Sequence, residues 1–392
     1  MTTAVVEGVM GATGRAIVVG GGIGGLAAAI GLARRGWRVE VLERAAVAGD
    51  AGSGLGLWPN GVRALDALGV GERVRARAMV ETEGGVRDRA GRWMSKTDTA
   101  ELARRYGPMV VIHRADLFRI LRDALPADAL RLGVTVTGVE DHGGRVRVAH
   151  SEGVSEADLV VGADGLRSRV RDAVCPRARG PEYAGYTVWR MVTRPVPKLH
   201  SGGETWGRGE RFGVVPLTDG RVYIYGAVNA PEGEWSPDGE WAEVRRRFGA
   251  WHDPIPALLD AVDPEAVLRH DIYDLPPLRT FVRHRIALLG DAAHAMTPNV
   301  GQGANQALED AAALVALLDR HPIETALTTY DRLRRPHTQA IVRRSRRVGA
   351  VAQWSWPPAT MLRDTVVRLT PGRAGLGALA PILDWRLPGA PS

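Results

Sequence analysis

Apolar periodicity divides the chain into a small number of segments. Residues 16–20 form an unbroken apolar run, the pattern of a strand buried on both faces, and 23–35, rich in Ala and Leu, read as a helix. A second strand at 38–42 ends at Glu43, which makes a βαβ start. Residues 61–69 look helical, and HRADLFRILRDAL at 113–125 is an amphipathic helix. RLGVTVTGVEDHGGRVRVAH at 131–150 alternates and carries turn residues at Gly143 and Gly144, so it reads as a hairpin. Residues 159–162 form another buried strand. From about 181 to 274 the pattern changes: Tyr183, Tyr186, Trp189, Trp206, Phe212, Tyr223, Tyr225, Trp235, Trp241 and Trp251 are spread among the strand-like runs TVWRMV, RFGVVPL and RVYIYGAV. This predicts a sheet-dominated unit inserted into the first. IALLG at 286–290 is again a buried strand, 303–319 and 324–347 read as helices, and 348–392, broken by Pro357, Pro358, Pro371, Pro381 and Pro388, reads as short helices on the outside. Residues 1–15 read as a loose tail without the basic start and apolar block of a secretory signal.

The 392 residues, 45% of them hydrophobic, suffice for two or three domains. The single cysteine, Cys175, forms no internal disulfide and reads as an ordinary, partly buried thiol in a reducing, cytoplasmic compartment. No apolar run reaches the ~18 residues of a membrane span. The net charge of +7 raises the possibility of a nucleic-acid partner, but 49 of the 51 basic residues are arginines, dispersed along the chain. The one dense run, Arg343, Arg344, Arg346 and Arg347, has the spacing of a solvated helix face. Anionic small molecules give the positive field a sufficient use, and neither a nucleic acid nor a metal is expected.

Three separated stretches carry chemistry. Gly20, Gly22 and Gly25 stand as G-x-G-x-x-G between a strand and a helix: the first allows a tight turn, the second a close backbone approach to a pyrophosphate, the third close packing of helix on sheet. The helix start offers free N–H groups to phosphates, and Glu43, about 20 residues on, takes ribose hydroxyls. In ADLVVGADGLRSRVR at 157–171, Asp164 and Gly165 follow a buried strand, where an acid either points into a ligand crevice or caps the next helix. In IALLGDAAHAMTPNVGQGANQALEDA at 286–311, Asp291 suits a hydroxyl-bearing chain. The loop with Pro298, Gly301 and Gly303 opens a helix at about Asn305 whose N–H groups suit a carbonyl or developing anion. His294 reads as a structural partner in a packed loop.

These three motifs, in this order, resemble the single-component FAD-dependent aromatic hydroxylases related to p-hydroxybenzoate hydroxylase, over about 14–350. GLGLWPNGVRALDALG at 54–69 and HRADLFRIL at 113–121 add to the resemblance. AGYTVWR at 184–190 and DGRVYIY at 219–225 resemble the smaller members, the urate, salicylate, 3-hydroxybenzoate and tetracycline-inactivating hydroxylases. The implied fold class is α/β: a Rossmann-like, GR2-type FAD-binding domain in three parts, 14–83, 101–180 and 275–347, with an inserted mixed β-sheet substrate domain at 181–274, strands at 84–100 that join it, and a C-terminal helical segment at 348–392.

The resemblance implies that Gly24, Glu43, Arg44, Gly56, Arg114, Val136, Asp291, Pro298, Gly301, Gln302, Gly303, Ala304 and Asn305 touch FAD, with Arg114 neutralising pyrophosphate charge, and that Asp164 supports FAD near where the nicotinamide docks. Arg211 and Tyr223 match substrate-contacting positions; the bland readings are a surface pair of Arg211 with Glu210 and a core tyrosine. The urate members have Asn after the tryptophan where this chain has Arg190, which argues against urate, and the catalytic histidines of the salicylate and 3-hydroxybenzoate members have no assignable counterpart. The implied reaction is NAD(P)H-driven hydroxylation of a small aromatic or polyketide-like ring by a flavin C4a-hydroperoxide. FAD is held non-covalently in a monomer or homodimer. Epoxidation or oxidative rearrangement on the same scaffold, and a non-catalytic flavin-binding protein, remain as alternatives. Trp354 and Trp356 read as packed aromatics rather than as a halogenase Trp-x-Trp motif.

Overall fold

The computed structural model describes residues 14–47, 53–81, 83–199, 201–370 and 372–389. The expected tail lies outside them up to residue 13, and Arg15 already begins the first strand. A six-stranded sheet runs in the order Val282–Arg283, Ile286–Leu288, Leu159–Gly162, Arg15–Val19, Arg38–Glu43, Leu130–Leu132. Its central pairs are parallel, with only the Val282–Arg283 edge antiparallel. The three strands at its centre are buried on both faces, which explains their continuous apolar runs. The helix Ile23–Ala33 is buried along almost its whole length between this sheet and the helix Gly303–Leu318. Small residues permit the fit: a Cβ on Gly31 would stand 2.7 Å from a Val315 methyl, and one on Gly24 would stand 2.7 Å from a Leu289 methyl.

The hairpin at 131–150 is Val136–Asp141 against Val146–His150, extended by Gly153–Ala157 into a three-stranded antiparallel sheet. A seven-stranded mixed sheet runs Leu268–Asp274, Glu182–Val192, Val222–Asn229, Glu210–Pro216, Gly203–Trp206, Gly85–Asp88, Trp93–Lys96. A small sheet of Gly54–Leu57, Val110–His113 and Met79–Val80 lies where the chain passes between the two larger ones.

The aromatic stretch holds more than strands. Helices Glu240–Phe248 and Ile255–Asp260 cover one face of the seven-stranded sheet, burying Val244, Phe248, Ile255, Leu258 and Leu259 against Trp189, Met191, Phe212 and Ile224. Helix Ile323–Ala352 continues past the expected stop at 347 and carries Pro336 inside it. Two further helices, Pro357–Leu369 and Gly372–Leu383, follow. Trp354 and Trp356 are 37% and 69% exposed, so the expectation that they pack as aromatics is corrected: Pro357 starts a helix at that point and the two indoles precede it on the surface. Among the described residues no helix is long and apolar enough to cross a membrane.

Candidate flavin and substrate site

The turn after the first strand is shaped by three different constraints. Gly20 holds φ +105°, and a Cβ there would lie 2.3 Å from the Ala163 carbonyl oxygen. A Cβ on Gly25 would lie 2.0 Å from the Gly20 oxygen, so this glycine seats the helix on the strand. A Cβ on Gly22 would meet nothing within 4 Å; this is the side open to a ligand. Gly24 aims its Cβ direction inward at Leu289 and Ala307, so its lack of a side chain serves helix packing.

Around that turn lies a cavity of about 690 Å³ lined by Gly20, Gly22, Glu43, Arg44, Val136, Asp164, Gly165, Arg167 and Arg169, among others. The Glu43 carboxylate accepts the Gly21 N–H at 2.6 Å and the Ala45 N–H at 2.8 Å, which fixes the acid at the cavity rim. Asp164 lines the same cavity, yet its oxygens accept the Ser168 hydroxyl at 2.5 Å and the Arg169 and Val170 N–H groups at 2.6 and 3.1 Å. It therefore closes the turn that leads into the helix Val170–Val174 while it faces the cavity; it is not the N-cap residue, which is Arg169.

The second group forms on the loop that opens the helix Gly303–Leu318. Pro298 starts a 3-10 turn, and Gly301 is left-handed at φ +61°. Asn305 is fully buried: its Oδ1 accepts the Trp58 N–H at 3.0 Å, and its Nδ2 donates to the Gly56 and Gly301 carbonyls at 3.2 and 2.9 Å. One amide thus ties the glycine strand Gly54–Leu57 to the Gly301 loop. A Cβ on Gly303 would meet nothing within 4 Å, so the helix start, with its unsatisfied first N–H groups, faces open space beside Ala304. Gln302 is buried, its Oε1 accepting from Asn60 and Gln306 at 2.9 and 3.0 Å, and its Nε2 is left without a partner.

Asp291 joins the two groups. It starts the helix Asp291–His294 and is exposed; desolvation by the protein around it raises its pKa, opposed by the charges of His294 and Arg114. Arg114 begins the helix Arg114–Arg122, its guanidinium 5.8 Å from the Phe118 ring centre. His294 is a structural partner, as the sequence predicted: it is buried, with Nε2 2.5 Å from Asp310 Oδ2. The open glycine positions, the exposed Asp291 carboxylate and the unpaired helix start fit a dinucleotide with a hydroxylated chain between its two rings. Gly20, Gly22, Glu43, Arg44, Val136 and Asp164 would hold one end. Gly56, Arg114, Asp291, Pro298 and the 301–305 loop would hold the rest.

The third group faces this cleft from the seven-stranded sheet. Directly paired residues share a face, so register places Tyr186, Arg190, Arg211, Gly213, Tyr223, Tyr225 and Glu204 on the side away from the covering helices. A Cβ on Gly54 would stand 2.8 Å from the Tyr223 Cβ, and the Tyr186 hydroxyl donates to Asn299 Oδ1 at 3.3 Å. The face thus touches both flavin-side loops. Arg211 is not a surface pair with Glu210, which bonds Arg247 instead. Arg211 is 4% exposed, donates to Gln353 Oε1 at 2.8 Å and to Glu204 Oε1 at 3.3 Å, and lies 5.4 Å from the Tyr186 ring centre. Burial opposes its charge; Glu204, Tyr186 and Tyr225 outweigh it and raise its pKa. Tyr223 is 4% exposed, and its oxygen accepts from Arg190 Nη1 at 2.5 Å.

Sequence reading missed Glu204, Tyr186, Asn299 and Gln353 as members of this wall. Period-two alternation would have put Glu204 and Tyr186 on it; nothing in the pattern points to Gln353, which arrives from the end of a helix 142 residues after Arg211.

Residues 14–345 match the family model for an FAD binding domain. The chain is similar to an aurachin C monooxygenase/isomerase of Stigmatella aurantiaca, 37% identical over 90% of this chain and 93% of that one. It is equally similar to a 3-amino-4-hydroxybenzoate 2-monooxygenase of Streptomyces cremeus, 37% identical over 91% and 92%. Its fold superposes on Klebsiella pneumoniae HpxO complexed with FAD and uric acid with a TM-score of 0.88, at 30% identity over 94% and 96% of the two chains.

Proposed function

The chain belongs to the FAD-dependent monooxygenases of aromatic-hydroxylase type, and from that premise we propose that it hydroxylates a small aromatic ring, with NAD(P)H as electron donor and O2 as oxygen source. The observation that carries this reading is the two-walled cleft: dinucleotide-binding loops on one side, and on the other a sheet face bearing Arg211, Arg190, Tyr223 and Tyr225. Bound FAD supplies the hydride acceptance and oxygen activation. The chain's own residues do the rest. Tyr223 accepts from Arg190, which leaves its own O–H to donate to a ring oxygen, or its remaining lone pair to accept a hydrogen bond from a substrate phenol. Arg211, locked by Glu204 and Gln353, sets a fixed positive field at the wall. Val192, Val215 and Leu217 pack beside Tyr223 and exclude water there. The S. cremeus relative acts on a substituted hydroxybenzoate, which supports a ring of that size.

Oxygenation coupled to rearrangement is a second reading, supported by the monooxygenase/isomerase of S. aurantiaca. The test is a substrate screen by stimulation of NAD(P)H oxidation in air, followed by product mass and connectivity after reaction under labelled O2. A ring that gains one labelled oxygen with its skeleton intact supports hydroxylation, and a migrated substituent supports rearrangement. A flavin-loaded protein that oxidises NAD(P)H with no compound, and labels none, would overturn both.

A further inference from the structure

Arg190 stands in the strand Glu182–Val192, paired in register with Tyr225 on one side and Leu268 on the other. The row continues through Gly213 to Glu204, so Arg190 and Glu204 lie at separate strands of one cleft-facing row. The two arginines of this face differ in their surroundings. Arg211 is buried and has a carboxylate, an amide and an aromatic ring around it. Arg190 is half-buried, donates one N–H to Tyr223, and has no carboxylate partner among the described residues. Among the described residues, Glu204 pairs with Arg211 and Asp88, farther along the same face, pairs with Arg92 and Arg368, so Arg190 is left without a counter-charge.

A guanidinium on a wall that a cofactor and a ring would desolvate costs free energy unless a counter-charge arrives with them. Among the described residues no group supplies it to Arg190. Four of the five N–H donors of Arg190 remain for a ligand, in the planar fork that matches a carboxylate. Gly213 leaves room in the same row, where a Cβ would meet the Tyr225 ring at 2.0 Å, so Tyr225 lies flat across it beside Arg190. We propose that Arg190 binds a carboxylate on the substrate, so that the substrate class is an aromatic acid, and that this contact, relayed through Tyr223, sets which ring carbon faces the flavin. The proposal rests on the aromatic-hydroxylase reading and deepens it.

The test uses the FAD-loaded enzyme and a panel of hydroxy- and aminobenzoates against the matching benzamides. Binding is read from the change in flavin absorbance on titration, which needs no turnover, and kcat/KM from NAD(P)H oxidation. Wild type is expected to bind acids about 10- to 100-fold more tightly than amides, the range of one charge-assisted contact. Arg190→Gln brings that ratio to about one with FAD content unchanged, and Arg190→Lys restores part of it. An acid-to-amide ratio that is the same in wild type and Arg190→Gln overturns the proposal. So does loss of FAD with the ratio intact, which would assign Arg190 to the cofactor. Should Arg190→Gln fail to fold, wild type alone decides, since equal binding of acids and amides is the overturning result. Acid-selective binding that disappears in Arg190→Gln without oxygenation of any compound would keep the anchor and refute the hydroxylase reading.

Discussion

His294 Nε2 lies 2.5 Å from Asp310 Oδ2, and both side chains are sealed from solvent. The same Asp310 oxygen accepts the Gly290 N–H at 3.0 Å, and the other takes Arg334 Nε at 2.7 Å. Next to it, Glu309 accepts from Arg334 at 2.5 Å and from Asn60 at 2.5 Å. Two adjacent acids on one helix thus tie the Asp291 loop, the helix Pro59–Ala67 that carries Asn60, and the long helix Ile323–Ala352 to one buried cluster. Burial acts to raise the Asp310 pKa; His294 and Arg334 override it and hold it far below the ordinary carboxylate range. A depressed carboxylate contributes stability at every pH above that range and loses it only in strong acid.

Asp310→Asn takes one of two carboxylates from Arg334, which keeps Glu309, and takes from His294 the carboxylate it bonds, and is expected to lower the unfolding free energy by about 1–3 kcal/mol. FAD retention should fall with it, because the Gly290 turn loses its anchor. Urea unfolding with and without added FAD measures both, and an unchanged midpoint would remove the cluster from the stability of the fold.

His337 edges the same cluster, with Nε2 3.8 Å from Glu309 Oε2. Burial, and then the Arg334 charge, lower its pKa to about 4. The unfolded imidazole takes its proton near pH ~6.5, so below that value the unfolded chain binds more protons than the folded one. Stability contributed by the neutral ring is present above ~6.5 and lost as the pH falls towards ~4, a change of about 3 kcal/mol in total. His337→Gln should flatten the decline between those limits. Equal slopes of unfolding free energy against pH in wild type and variant would show that the ring does not carry it.

The sequence made the cofactor side legible because its geometry is local. A strand, a turn and a helix start are contiguous, and glycine is the only residue that tolerates the Gly20 conformation at φ +105° with the Ala163 carbonyl so close. The substrate wall is different. Glu204, Arg211, Tyr225 and Gln353 meet through sheet register and the end of a distant helix, and no local pattern ties Gln353 to Arg211. Helix Glu240–Phe248 was hidden by its aromatics: Trp241, Val244 and Phe248 repeat at helical spacing, and acids start it and arginines end it, within a stretch whose aromatic content favours strands. Asp164 shows a third case, in which one carboxylate both closes the turn before a helix, without being its N-cap, and faces the cavity.

Gly22 and Gly25 should respond oppositely to alanine. At Gly22 the backbone is extended, φ −71° and ψ 177°, which alanine adopts freely, and the added methyl meets nothing within 4 Å. Gly22→Ala is therefore expected to leave the unfolding free energy of the FAD-free protein within about 0.5 kcal/mol of wild type, while FAD affinity drops at least about tenfold as the methyl enters the phosphate approach. Gly25→Ala sets a methyl against the Gly20 carbonyl at 2.0 Å and should destabilise the protein with or without FAD. Flavin fluorescence titration and thermal unfolding of the FAD-free forms separate the two. A Gly22→Ala protein with wild-type FAD affinity would place the pyrophosphate elsewhere.

Arg211 admits a sharper test than simple removal. Glu204 accepts from Arg211 at 3.3 Å, from the Tyr225 hydroxyl at 3.0 Å and from the Trp206 indole at 2.6 Å. Burial, then the Glu204 charge, push the Tyr225 pKa well above its ordinary value, so that hydroxyl stays a neutral donor. Arg211→Ala leaves the carboxylate with neutral donors alone, and is expected to cost about 3–5 kcal/mol of stability. Much of that is the penalty of the stranded charge rather than lost substrate binding, so kinetics on the single variant mix two effects. Pairing it with Glu204→Gln removes the stranded charge: the double variant should recover a large part of the stability, by a coupling energy of about 1–3 kcal/mol. If Arg211 contacts substrate, kcat/KM stays low in the double variant despite the regained stability. If kcat/KM recovers together with the unfolding midpoint, the guanidinium is a structural counter-ion to Glu204 and does not reach the substrate.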